Sequence, residues 1–160
     1  MQHESNGHAI LAADSNLQVE ERHVSFEASS RGDPFSGASG DGKVVLLVED
    51  EPALREILSE YLQDFGYRVR EAEDGVAALR IIQDDPAHID MLVSDIGLPG
   101  GVDGTQVARA MQTHRPSVPI ILITGYSRDP FVAGTDLIRK PFDPLELAER
   151  VNTRLSPRVS

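Results

Sequence analysis

The sequence predicts an α/β domain over residues 43–156, in which a parallel β-sheet is covered by helices on both faces. Short apolar runs alternate with segments whose apolar residues recur at helical spacing, which is the pattern of successive βα units. Four apolar runs each end in a polar or charged residue, as buried parallel strands would. Because parallel strands end at the same edge of a sheet, these polar side chains are expected to meet there.

The first unit pairs a strand over residues 44–48 with an amphipathic helix. Pro52 suits the first turn of this helix, and Gly66 marks its end. Its predicted core face consists of the residues at three- and four-residue spacing: Leu54, Ile57, Leu58, Tyr61, Leu62 and Phe65.

The second unit begins with a strand over residues 67–72. Asp74 is placed to cap a helix that runs to about Gln83. That helix is predicted to bury Ala78, Leu79 and Ile82. The third strand then covers residues 90–95.

Aspartate residues mark the starts of two further helices. Asp103 with Gln106, and Asp143 with Glu146, resemble capping boxes in which Asp replaces Ser or Thr. Pro144 is a residue favoured at the first helical position, which supports the second of these starts.

The fourth and fifth strands are predicted over residues 118–124 and 136–139, giving five βα units in all. The segment between Thr124 and Lys140 must hold a loop, a helix and most of a strand. The fourth helix is therefore predicted to be short or irregular.

Five polar residues at the strand ends could build one phosphoryl-transfer site: Glu49, Asp50, Asp95, Thr124 and Lys140. Three carboxylates brought together repel one another and need a cation, and oxygen ligands favour a hard ion such as Mg²⁺. Glu49 and Asp50 are the candidates for holding it. Asp95 is the candidate nucleophile, and the Lys140 ammonium and Thr124 hydroxyl are candidates for neutralising the charge that develops on phosphorus.

Each of these residues also has an ordinary structural interpretation. A Glu-Asp pair after a strand can form a solvated loop, and Lys140 can be a surface lysine. Thr124 can be a β-branched strand end, and Asp95 a turn residue. Convergence on one sheet edge favours the functional interpretation.

Residues 44–155 resemble a receiver domain of the bacterial two-component response regulator family. The resemblance rests on the segments VVLLVEDEPALREILSEYL, SDIGLPGGVDG, PIILITGY and IRKPF, in this order and spacing. It implies a doubly wound, flavodoxin-like receiver fold with strand order 2-1-3-4-5. It also implies a phosphorelay partner, either a sensor histidine kinase or a histidine phosphotransfer protein.

The resemblance assigns the reacting groups. Asp95 accepts the phosphoryl group from a phosphohistidine, and Thr124 and Lys140 contact phosphoryl oxygens. A cis peptide bond between Lys140 and Pro141 is expected as well. Such a domain promotes its own Mg²⁺-dependent phosphorylation and dephosphorylation and is not a conventional enzyme.

The resemblance also implies the ligands of the Mg²⁺ ion. Asp50 and Asp95 bind the metal directly, and Glu49 acts through water. The backbone carbonyl of Gly97 completes the protein ligands.

Three features depart from the usual family pattern. The loop between Asp95 and Gly104 is one residue longer, in the pair Gly100–Gly101, and is predicted to be mobile. Leu137 stands three residues before Lys140, where the family usually carries an aromatic switch residue, so the usual switch is in doubt. The short fourth helix belongs to the family's usual dimer surface, so a monomer or weak dimer is predicted.

Composition excludes several classes of protein. The absence of cysteine excludes disulfides, thiolate metal sites and a cysteine nucleophile. A net charge of −11 argues against binding to nucleic acid or anionic lipid. No membrane span or secretion signal is visible, so a cytoplasmic protein is predicted.

Residues 1–42 are predicted to be a largely disordered extension and linker, because they are rich in Gly, Ser and Asp. Residues 37–43 match the first seven positions of a phosphate-binding P-loop. However, Val44 takes the place of Ser or Thr, and a strand follows where that loop needs a helix. The P-loop interpretation is therefore disfavoured.

The last helix is predicted to end near residue 155, so no DNA-binding output domain is expected in this chain. The predicted roles are phosphorylation-dependent protein interaction or a phosphate relay or sink. The alternatives are a phosphorylation-independent adaptor with the receiver fold and, less favoured, a hydrolase with an aspartyl-phosphate intermediate. The segment VEDEP is not the D-x-D motif of the haloacid-dehalogenase-like phosphatases.

Overall fold

The computed structural model describes residues 40–84, 87–125 and 132–157. The chain divides into two compact units, residues 1–34 and 35–160, and all described residues lie in the second. Predictions for most of the N-terminal extension and for the helix between the fourth and fifth strands fall on residues 1–39 and 126–131. Those two segments lie outside the described residues.

Five parallel strands form one sheet. They are β1 (Val44–Val48), β2 (Arg68–Ala72), β3 (Met91–Asp95), β4 (Ile120–Thr124) and β5 (Asp136–Arg139). Their order is β2-β1-β3-β4-β5, which confirms the predicted topology. The three central strands are buried at every position, which is why their sequences are continuous apolar runs.

Four helices are present in the described residues: α1 (Pro52–Asp64), α2 (Gly75–Gln83), α3 (Gly104–His114) and α4 (Pro144–Leu155). None of them is long and apolar enough to cross a membrane. The Asp74 carboxylate accepts a hydrogen bond from Ala77 N at 2.7 Å, and Asp103 and Gln106 form the predicted capping box of α3.

The second predicted capping box is wrong in one half. The Asp143 carboxylate accepts from Leu145 N at 2.9 Å, as a helix cap should. Glu146 does not complete the box, because its carboxylate accepts from Arg150 Nη2, one turn further along α4, at 3.0 Å.

Helices cover both faces of the sheet, and each face has its own core. Val45 and Leu47 of β1 pack on the side of α1 and α4, whereas Leu46 and Val48 pack on the side of α2 and α3. This alternation is the two-residue period of a strand that is buried on both faces.

Four residues predicted for the core are not fully buried: Leu54, Ile57, Tyr61 and Leu79. Ile57 is 43% exposed, because the buried line of α1 follows Leu58 and Leu62 at four-residue spacing and Ile57 lies beside it. Leu79 of α2 is only half-buried. The spacing of apolar residues therefore predicted the two helices correctly. The buried faces predicted for them were wider than those in the structure.

Strand starts differ from the predictions by one or two residues. β2 starts at Arg68, β3 at Met91 and β4 at Ile120, each later than predicted. Asp90, for example, precedes β3 and uses its carboxylate to accept from Val44 N at 2.7 Å.

The residues just before β1 contact the fold. Gly40 is buried, and its N–H donates to Phe65 O at 2.8 Å. Lys43 Nζ donates to Leu155 O at the end of α4. Lys43, the last residue of the P-loop match, therefore ties β1 to the last helix.

Candidate functional site

The strand register gathers the predicted site residues at the carboxyl edge of the sheet. Val48 of β1 pairs with Ser94 of β3, so that Glu49 follows beside Asp95. Thr124, the last residue of β4, pairs with Arg139 of β5, and Lys140 comes next. Lys140 N donates to Thr124 O at 2.8 Å, which holds the two strand ends together.

Three carboxylates converge at this edge. One carboxylate oxygen from each of Glu49, Asp50 and Asp95 lies within 4.8 Å of the others. Glu49 and Asp95 are buried, whereas Asp50 is exposed. The three side chains line a cavity of about 280 Å³ together with Glu51, Gly97, Gly125 and Lys140.

The Lys140 ammonium bridges two of the carboxylates. Its Nζ donates to Asp95 Oδ2 at 2.7 Å and to Glu49 Oε2 at 3.5 Å. Partial burial alone would lower the pKa of Lys140, but the hydrogen bond and the charge of Asp95 outweigh that effect and raise it. Lys140 therefore stays protonated and supplies one positive charge to the cluster.

The loop after β3 holds the other oxygen of Asp95. Gly97 N donates to Asp95 Oδ1 at 2.9 Å. Gly104 N donates to Ile96 O at 2.9 Å, which brings the start of α3 against the backbone of Asp95 and Ile96. Asp95 is thus held from both sides while it remains at the wall of an open cavity.

The carboxyl group of Glu49 has a strongly perturbed pKa. Burial raises the pKa of its carboxyl from 4.5 to about 7, and the neighbouring Asp95 charge adds to the rise. The hydrogen bond from Glu51 N, at 3.1 Å, and the Lys140 charge act in the opposite direction. Burial and the Asp95 charge together outweigh these two effects, so the Glu49 carboxyl holds its proton more tightly than a solvated glutamate does.

We expect the raised pKa of Glu49 to appear in the pH dependence of stability. Because Glu49 binds a proton more tightly in the folded state, its contribution is fully present below pH 4.5 and is lost as the pH rises through about 7. Without divalent cations, the free energy of unfolding should therefore decline over this range, by on the order of a few kcal/mol. Urea unfolding in EDTA at several pH values measures it.

The matched control is Glu49→Gln, which keeps an oxygen to accept from Glu51 N and removes the titrating group. Its unfolding free energy should depend less on pH than that of the wild-type protein. Parallel pH profiles for the two proteins would contradict the assignment.

The chemistry of the donor set fits a hard divalent cation. All three clustered side chains offer carboxylate oxygens, which Mg²⁺ and Ca²⁺ prefer, and the exposed Asp50 leaves access from solvent. Added positive charge would also favour the ionised form of Glu49, whose pKa is raised by burial and by the Asp95 charge.

Most of the predicted site residues line the cavity. Thr124 is completely buried and is not among the described lining residues, although its neighbour Gly125 is. Gly97 lies at the cavity, and the Lys140–Pro141 peptide bond is cis as predicted.

The sequence interpretation missed two residues beside the site. Glu51 lines the cavity and donates its N–H to Glu49. Arg55 of α1 donates from Nη1 to Glu49 O at 2.7 Å. The sequence indicated this contact only weakly. Arg55 lies in the first turn of a predicted helix, and the first turn of a helix lies close to the loop that precedes it.

Comparison with known proteins agrees with this fold. The family profile described as "Response regulator receiver domain" matches residues 45–152. The sensor kinase CckA of Brucella abortus is 37% identical over 117 residues, which are 69% of this chain and 12% of that protein. The transcriptional regulatory protein ResD of Bacillus subtilis is 36% identical, over 69% of this chain and 47% of that protein.

Solved structures give the same result. The crystal structure of the receiver domain from the hybrid histidine kinase CckA is similar with a TM-score of 0.62 and 36% identity, covering 71% of this chain and 99% of that one. The BeF3-activated DrrB receiver domain is similar with a TM-score of 0.61 and 31% identity, covering 71% and 96%.

The chain spans less than half the length of these two curated relatives, so the resemblance concerns only part of each. The residues that the family profile matches contain the clustered carboxylates and the five strands, except for Val44, the first residue of β1. The chain belongs to the response regulator receiver domain family of two-component signalling proteins.

Proposed function

We propose that Asp95 accepts a phosphoryl group from a phosphohistidine on a sensor histidine kinase or a histidine phosphotransfer protein. The observation that supports this most directly is the position of the Asp95 carboxylate. It lies in an open cavity, between the Lys140 ammonium at 2.7 Å and two further carboxylates. A receiver domain is a signalling domain, and this arrangement would act on its own side chain rather than turn over a separate substrate.

In the proposed transfer, a carboxylate oxygen of Asp95 forms a bond to phosphorus while the bond between phosphorus and the donor histidine nitrogen breaks. The product is an acyl phosphate on Asp95 and a free imidazole on the donor. Lys140 would then move its hydrogen bond from Asp95 Oδ2 to a phosphoryl oxygen, where its charge offsets the negative charge gained.

Asp50, Asp95, Glu49 and the backbone carbonyl of Gly97 would hold Mg²⁺, with Glu49 acting through water. The ion would supply positive charge to the transferring phosphoryl oxygens. Thr124 is proposed to contact a phosphoryl oxygen after a local shift, since it lies next to the cavity and not in its lining.

The remaining proposals concern the organisation and the role of the chain. Residues 43–156 form the receiver, and residues 1–42 form an extension. The receiver acts in the cytoplasm, as a monomer or weak dimer, through phosphorylation-dependent protein contacts or as a phosphate relay or sink.

The test is phosphorylation of the purified chain by acetyl phosphate, followed by intact-protein mass spectrometry. We expect the mass of one added phosphoryl group with Mg²⁺ and none with EDTA. The adduct should be released by hydroxylamine, which cleaves acyl phosphates and leaves phosphate esters in place.

Beryllofluoride provides an independent readout, because it mimics the phosphoryl group without needing transfer. It should perturb the amide NMR signals around the cavity in the presence of Mg²⁺. If neither reagent acts on a folded protein, the phosphorylation-independent adaptor replaces the proposed function.

A further inference from the structure

The loop that carries Glu49 and Asp50 is clamped by a side chain that no part of the proposed transfer uses. Arg55, in the first turn of α1, donates from Nη1 to Glu49 O at 2.7 Å and from Nε to Glu71 Oε2 at 3.3 Å. Its side chain is only 17% exposed. One guanidinium therefore joins α1, the end of β1 and the edge strand β2.

This clamp adds to a direct backbone contact between β1 and β2. Glu49 N donates to Ala72 O at 3.1 Å, and Glu49 O accepts from Arg55, which is anchored on Glu71. Both backbone polar groups of Glu49 are thus tied to β2. The orientation of the peptide bond between Glu49 and Asp50 is fixed as a result.

Asp50 depends on this backbone more than its neighbours do. The Glu49 carboxylate is held by Glu51 N and approached by the Lys140 ammonium. Among the residues that the structure describes, no cationic side chain forms an ion pair with Asp50. Its carboxylate is exposed and interacts with the Glu49 carboxyl, so we infer that its position depends on the peptide groups that join the two residues.

We propose that Arg55 is a positioning residue of the divalent-cation site. By fixing the carbonyl group of Glu49, it orients the Asp50 carboxylate toward those of Glu49 and Asp95. This inference rests on the metal site of the proposed function. A partner that orients a metal ligand typically changes metal affinity by about ten- to a hundredfold when it is removed.

The charge of Arg55 predicts the opposite effect. A positive charge beside a cation site repels the cation, and loss of Arg55 would also leave Glu71 as an unpaired negative charge nearby. If Arg55 acted only through charge, its removal would tighten Mg²⁺ binding. The positioning role predicts weaker binding, so the sign of the change separates the two.

The experiment is a titration of Mg²⁺ into the full chain, followed by amide NMR shifts at low ionic strength. Arg55→Ala should weaken Mg²⁺ binding by about tenfold, and hydrogen exchange at the amides of Asp50 and Glu51 should become faster. Acetyl phosphate labelling at saturating Mg²⁺ should stay within about twofold of the wild-type rate, because the reacting groups are unchanged.

Arg150→Ala is the matched control. Arg150 of α4 also donates to a backbone carbonyl, that of Leu137, and also pairs with a glutamate, Glu146. Its removal deletes the same charge and a similar pair of contacts on another helix. Mg²⁺ affinity should remain within about twofold of wild type.

Arg55→Lys keeps the positive charge and loses the two-sided fork of the guanidinium. The Arg55→Lys variant should also weaken Mg²⁺ binding, and it replaces Arg55→Ala in the titration if that variant does not fold. Unchanged or tighter binding in the folded Arg55 variants, beside a wild-type protein that binds Mg²⁺, overturns this inference alone. A wild-type protein whose loop amides do not respond to Mg²⁺ overturns the metal site and the inference together.

Discussion

Replacing Asp95 by Asn should reduce phosphoryl uptake from acetyl phosphate by more than about a thousandfold, because the amide offers no anionic oxygen to attack phosphorus. The change is nearly isosteric. The Asn side-chain oxygen can still accept from Gly97 N, which the carboxylate does at 2.9 Å. Loss of labelling in a folded variant would therefore report the nucleophile. A time course by intact-protein mass spectrometry measures it.

Asp50→Asn separates the nucleophile from a metal ligand. It removes one carboxylate of the same cluster and leaves Asp95 and Lys140 in contact. Its labelling should be slow at low Mg²⁺ and recover largely when Mg²⁺ is raised. An Asp95→Asn protein that is labelled as fast as wild type would exclude Asp95 as the acceptor.

Replacing Gly104 by Ala should lower the free energy of unfolding by about 3 kcal/mol or more. A Cβ atom at this position would lie 2.0 Å from Asp95 O and 2.7 Å from Ile96 Cα. These neighbours are backbone atoms, so they cannot rotate away as a flexible side chain would. The start of α3 would have to leave the loop after β3, and urea unfolding would report the loss.

Gly125→Ala is the control for this substitution. Gly125 also lies at the cavity, but a Cβ atom there would meet no atom of the described residues within 4 Å, its chain neighbours apart. Its unfolding free energy should stay within about 1 kcal/mol of wild type. If Gly104→Ala were as stable as Gly125→Ala, the close approach of α3 to Asp95 would be wrong. Gly104→Ala should also slow labelling of Asp95, since the same contact holds that loop.

Much of the fold could be read from the chain because its signals are local. Continuous apolar runs predicted the buried strands β1, β3 and β4, and Asp74 and Asp103 marked helix starts that the structure confirms. The starts of β2, β3 and β4 were predicted one or two residues too early, since the start of a strand depends on which neighbouring strand supplies hydrogen bonds. The exposed Ile57 shows the same limit: an apolar residue at helical spacing is buried only if another element covers it.

The residue types of the candidate site were also visible in the sequence, because each follows an apolar strand at an edge where parallel strands end together. The linear order of residues alone determined that Glu49, Asp50, Asp95 and Lys140 would be brought to that edge. Their electrostatic state was decided by the tertiary structure, since the raised pKa of Glu49 comes from burial and from Asp95, a residue far along the chain. The clamp by Arg55 likewise exists only in the folded protein, because Glu71 lies on β2 and Glu49 lies in the loop after β1.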